Sequence, residues 1–148
     1  MQRLLLILGF ALVACSAPQD PEATELRNIL RETMNTFQES REKIGSSQTD
    51  AELFSVMKDF TQKIEQLAQR KRAVLGPGGS LSPERLKRLR MQLQPDVEAF
   101  QAEILRMHDT VTKSRWNNKT TWKNPKFRQL KTRLFAALTD LSRNDEVP

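Results

Sequence analysis

Apolar residues recur at three- and four-residue steps through four stretches of this chain, and no stretch alternates with a period of two. The first stretch opens on Asp20-Pro21-Glu22, a cap followed by a first-turn proline and an acid. Leu26, Ile29, Leu30, Met34, Phe37 and Ile44 then share one helical face. The second opens on Thr49-Asp50-Ala51-Glu52, the pattern of a capping box. Its stripe is Leu53, Met57, Phe60, Ile64, Leu67, Val74 and Leu75, and Gly76-Pro77-Gly78-Gly79 stops it.

The third stretch begins at Ser82-Pro83-Glu84. Leu86, Leu93, Phe100 and Met107 follow at intervals of seven, as do Val97, Ile104 and Val111. Pro95 interrupts this run, where it removes one backbone hydrogen bond and bends the helix. The stripe keeps its phase across the proline, which predicts one bent helix rather than two. Asn124-Pro125 opens the fourth stretch, with Phe127, Leu130, Leu134, Leu138 and Leu141 on one face. Short connections between such helices predict an all-α, up-down-up-down four-helix bundle over residues 22–148. Met34, Met57 and Met107 read as core fillers.

A different pattern precedes the helices. Arg3 is followed by the apolar run Leu4–Ala11 and then by Leu12-Val13-Ala14-Cys15. A charged start, a short apolar stretch and small residues describe a secretory signal peptide, and the run is short of the roughly 20 residues of a spanning helix. The ending resembles the lipobox of bacterial lipoproteins. That resemblance implies cleavage after residue 14, a diacylglyceryl thioether on Cys15 and acylation of its new amino group. Residues 1–14 are then the signal peptide, and 15–21 the lipidated cysteine and linker. Ser16 after the cysteine resembles outer-membrane sorting. The expected location is the envelope of a Gram-negative bacterium, lipid-anchored and facing the periplasm. The plainer reading is an ordinary signal peptide or uncleaved anchor with an incidental cysteine.

Lipidation would consume the only cysteine, leaving no thiol for a disulfide, a nucleophile or a metal site. There is one histidine, His108, and no tyrosine. Glu98 and Glu103 read as surface charges on different faces. With no nucleophile elbow, metal cluster or His–carboxylate spacing, the sequence predicts a non-enzymatic protein without a metal or cofactor.

The net charge of +6 conceals a segregation. Residues 69–90 carry Arg70, Lys71, Arg72, Arg85, Lys87, Arg88 and Arg90 against Glu84 alone. Residues 113–133 carry eight cations and no acid. Bundle topology puts the first group at the anchored end, facing the membrane, where each cation contributes about 1 kcal/mol near anionic lipid. A solvated hairpin tip is the alternative. The second group surrounds both tryptophans, in Arg115-Trp116-Asn117-Asn118-Lys119-Thr120-Thr121-Trp122-Lys123. Tryptophan among cations suits an acidic envelope protein or an anionic glycan; the export signal argues against nucleic acid. Alternatively, Trp116 and Trp122 close the end of the bundle as a lid.

Three further stretches resemble the soluble cytochrome b562 family: Glu25-Leu26…Met34-Asn35, Ser82-Pro83-Glu84, and Gln129-Leu130-Lys131-Thr132. The resemblance implies a four-helix bundle. It also implies haem held by a methionine of the first helix and a histidine of the fourth. Here those positions fall on Ile29 or Leu30 (Met34 if the register shifts) and on Leu138. His108 is the remaining strong ligand. The expectation is therefore the fold without the cofactor, in a lipoprotein that binds or scaffolds an envelope partner. The alternative is a cytochrome b562-like haem-binding or electron-transfer protein.

Overall fold

A computed structural model describes residues 20–76, 81–113, 121 and 123–142. These form four long helices: α1 (Pro21–Ser46), α2 (Asp50–Leu75), α3 (Pro83–Lys113) and α4 (Pro125–Ser142). There is no strand among the described residues. The start signals act as the sequence suggests. Asp20 accepts from the Glu22 N–H at 3.0 Å, with Pro21 in the first turn. Thr49 accepts from the Glu52 N–H, and the Glu52 carboxylate accepts from the Gln48 and Thr49 N–H groups. Those backbone hydrogen bonds hold the Glu52 carboxyl below its usual pKa. Gly76 ends α2 at φ 80°, a conformation that favours glycine.

Three interfaces dominate: α1 packs against both α2 and α3, and α2 packs against α4. Glu39–Lys63 and Glu32–Arg70 run in opposite order along α1 and α2, so these helices are antiparallel. Their register brings Ser40 nearly level with Thr61, and Thr33 with Ala68; all four are buried. The buried threonine hydroxyls return to their own helices, Thr33 to the Ile29 carbonyl and Thr61 to that of Met57, each at 2.7 Å. Small side chains let this seam close, and the two threonine hydroxyls do so with their donors satisfied. Arg85–Glu22, Arg27–Asp96 and Arg41–Glu103 run in the same order along α1 and α3, so that pair is parallel. Phe54–Phe127, Glu65–Arg133 and Arg72–Asp140 do the same for α2 and α4. The α2–α3 connection therefore does not join packed neighbours, as the shortest route around a bundle would.

The predicted stripes form the core. Phe37 meets Phe60 edge-on at 5.6 Å and Phe100 at 5.9 Å, tying α1, α2 and α3 together. Leu30, Met34, Val74, Val97, Ile104, Val111 and Leu138 are partly buried against that core. Pro95 lies inside one continuous α3. Arg27 reaches across from α1 to this point, bonding Asp96 Oδ2 through Nε at 2.9 Å and the Gln92 carbonyl through Nη2 at 3.2 Å. A cation thus engages backbone where the proline disturbs the helical ladder.

Glu103 overturns its reading as a surface charge: it is 2% exposed. It lies three residues beyond Phe100 and four before Met107, on the buried stripe itself. Arg106 donates to its Oε2 at 3.1 Å. Arg41 of α1 lies 3.0 Å from Oε1, close enough for an ion pair but without hydrogen-bond alignment. A buried carboxylate is tolerated only with such cations beside it. Arg41→Ala should therefore lower stability in urea denaturation by about 1–3 kcal/mol. The apolar pair Arg41→Met with Glu103→Leu should recover most of that loss, because removing both charges removes the desolvation penalty. An Arg41→Ala protein as stable as wild type would show that the pair does not hold α3 to α1.

Candidate functional site

Three regions bear on function: the two ends of the helical assembly and a groove between α3 and α4. At one end, Arg85 at the start of α3 bonds Glu22 at 2.8 Å and lies 3.7 Å from Asp20, both at the start of α1. Lys71, near the end of α2, donates to the Asp140 and Leu141 carbonyls at the end of α4, at 3.0 and 3.1 Å. A cation at a helix C-terminus satisfies orphan carbonyls and complements the dipole. The first basic group is thus gathered at the end where α1 begins.

Its members have different employment. Arg70 donates to Glu25 at 2.6 Å and to Glu32, and those hydrogen bonds raise its already high pKa. Arg72 pairs with Asp140 at 3.3 Å. Lys87 and Arg88 are exposed and make no ion pair among the described residues, while Arg90 is exposed along the groove. Much of the positive charge of this end is therefore met by the acids of α1 and α4, which sequence distance had separated from it.

At the other end, Arg115, Trp116, Lys119 and Trp122 lie outside the described residues. Lys123 is exposed, and Thr121 beside it is buried. The basic character continues down α4, where Arg133 makes a two-pronged contact to Glu65 at 2.8 and 2.6 Å that raises its pKa. Lys131 sits 5.6 Å from the centre of the Phe135 ring.

The groove was not anticipated. α3 and α4 face each other across two apolar cavities of about 120 and 280 Å³. Leu26, Leu75, Leu86, Leu93 and Leu141 are among the walls of the first. Met57, Phe60, Met107, Leu134 and Leu138 are among those of the second. Ile104 belongs to both, and His108 lines the second as an exposed residue of its rim. Phe135, 56% exposed, sits on the opposite rim. Leucine periodicity reports which residues point inward, but not whether two inward faces meet.

Of the positions aligned with the haem ligands of cytochrome b562, Ile29 is buried and Leu30 and Leu138 are partly buried, and these three have no ligating atom; Met34, the position under a shifted register, is partly buried against the core. No cluster of three or more His, Cys, Asp or Glu suited to a metal is present among the described residues, and no described helix is long and apolar enough to cross a membrane. No protein-family model, curated protein or solved structure matches the chain.

The division of labour among the cations is testable. Replacing Lys87 and Arg88 with Gln should weaken adsorption to anionic phospholipid vesicles by about 1 kcal/mol per cation, with little change in melting temperature. Arg85→Gln should instead lower the melting temperature, because it strips Glu22 of its partner. Equal vesicle binding by wild type and the Lys87/Arg88 variant in a sedimentation assay would remove that surface from consideration.

Proposed function

We propose that this protein is a non-enzymatic, lipid-anchored periplasmic lipoprotein. In this reading it is an up-down-up-down four-helix bundle, held at the membrane through Cys15, that binds or scaffolds an envelope partner. The observation that carries the reading is the meeting of the α1 start with the basic start of α3, through Arg85 with Glu22 and Asp20. Asp20 follows Cys15 by only five residues, a tether of about 17 Å at full extension. A lipid at Cys15 would therefore bring Lys87 and Arg88 close to the bilayer surface, where a lipid and a basic patch anchor together. With α2 antiparallel to α1, α3 parallel to α1 and α4 parallel to α2, helices successive in the chain alternate in direction, which supports the up-down-up-down order. The same directions also support a location for the Trp116–Trp122 segment at the end farther from the membrane, where an acidic protein or anionic glycan would meet it. A cytochrome b562-like role would have to rest on His108, with Met34 under a shifted register, since Ile29, Leu30 and Leu138 are aliphatic.

Anchoring is tested by intact-mass measurement of the protein extracted from membranes. The expected species begins at Cys15 and carries the mass of a diacylglyceryl group plus one acyl chain. Cys15→Ser should abolish it and release the domain from the membrane fraction. A wild-type protein that retains residues 1–14, or lacks the lipid mass, would end the lipoprotein reading.

Partner binding is tested separately with Trp116→Ala/Trp122→Ala in crosslinked cells. Loss of crosslinked species with an unchanged melting temperature supports a contact surface. Unchanged crosslinks with a collapsed melting temperature would make the tryptophans a lid.

A further inference from the structure

We propose that the start of α4 binds a linear polyanion, an anionic glycan of the cell envelope, through Lys123, Lys126 and Arg128. The inference rests on the reading above for the envelope setting and takes nothing from the tryptophans. No acid occurs in the sequence from residue 113 to 133. Among the described cations there, Lys113 pairs with Asp109 at 2.7 Å, Arg133 pairs with Glu65, and Lys131 lies over the Phe135 ring. Lys123, Lys126 and Arg128 are exposed, and their side chains make no ion pair or hydrogen bond among the described residues. Lys126 and Arg128 join the hydrogen bonding of the helix start only through their backbone N–H groups, which donate to the Asn124 side chain and carbonyl at 3.0 and 3.2 Å. Phe127 between them is 2% exposed and meets Phe54 edge-on at 5.1 Å. That contact fixes the α4 start on α2 and leaves the two neighbouring cations in solvent.

The chemistry of the patch selects its partner. α2 begins beside it with Asp50 and Glu52, yet the Glu52 carboxylate is committed to its capping box and neither acid forms an ion pair with α4. Charge of one sign on a fixed scaffold attracts counterions, and cations that bind a chain of repeated anionic groups release the counterions condensed on it. Such a contact needs no apolar anchor. A folded protein partner does, because its interface is built around buried aromatic or aliphatic side chains. The exposed large hydrophobic residues are Met91, Leu105 and Phe135, so none among the described residues lies between 121 and 133. The patch therefore fits a flexible polyanion better than a folded acidic protein.

The test titrates the full chain, in micelles of uncharged detergent, into fluorescein-labelled heparin between about 50 and 200 mM salt. Wild type is expected to bind with log Kd rising linearly with log salt. Lys126→Gln with Arg128→Gln should weaken binding about tenfold and lower the salt slope by roughly 1.4–1.8, the loss of two counterion-releasing contacts, with helicity by circular dichroism unchanged. Lys87→Gln with Arg88→Gln removes the same charge at the opposite end and should leave both values as in wild type. Polygalacturonate should displace heparin, and neutral dextran should not. In intact cells, a photocrosslinking amino acid in place of Gln129, an exposed neighbour, should join the chain to glycan. An equal loss from the Lys87/Arg88 variant would reduce the effect to net charge and overturn the proposal, as would displacement by dextran. A discrete protein adduct from position 129 would give the surface to an acidic protein instead and also overturn it. Neither the tryptophans nor a lipid on Cys15 is required in the titration. Heparin binding that survives Trp116→Ala/Trp122→Ala therefore keeps this surface even where the tryptophan contact fails.

Discussion

The antiparallel seam between α1 and α2 is the constraint on which the rest of the structure depends. Among the described helices it is the only pair whose members each carry a second helix, α3 on α1 and α4 on α2. Thr33, Ser40, Thr61 and Ala68 keep the seam narrow, and the threonine hydroxyls bond within their own helices rather than across it. Volume at this seam is therefore more restricted than polarity. A larger side chain there would part the helices, and α3 and α4 would move with them, since close-packed interiors transmit such displacements.

Electrostatics then fix how the outer helices sit. α3 carries acids into its inner face at Asp96 and Glu103, and α1 answers with Arg27 and Arg41. The buried pair contributes orientation more than net stability, because desolvation offsets much of the attraction. On the far side, Lys71 caps the carbonyls at the end of α4, and Arg133 grips Glu65. The chain's charge segregation, which reads in sequence as two basic surfaces, is in good part an internal matching of basic helices to acidic ones.

Helix positions were legible in the sequence because their signals are local. Asp20-Pro21, the Thr49–Glu52 capping box, Gly76 and Asn124-Pro125 each act within a few residues, and each marks a real boundary. Pro95 was legible as a feature inside one helix for the same reason: the stripe from Leu93 to Phe100 does not change phase. Long-range matters were not legible. Glu103 has the composition of a surface residue, and only its heptad phase with Phe100 and Met107 betrays burial. The choice of neighbours depends on which partly apolar faces fit best, and periodicity is blind to that. So the groove, formed where α3 and α4 face each other without an extensive interface, could not be read from the stripes of either helix.

The connection between α1 and α2 is only three residues long, Ser47 to Thr49, and every one of them is occupied. The Ser47 hydroxyl donates to the Lys43 carbonyl, and the Gln48 and Thr49 N–H groups donate to Glu52. There is no slack to absorb a change in length. An added residue would either break a cap or join a helix, turning everything beyond it by about 100°, since a turn takes 3.6 residues. Divergence among related chains would then be confined: insertions and deletions fall outside the stretch from Asp20 to Leu75, which keeps its length and behaves as a single heritable unit.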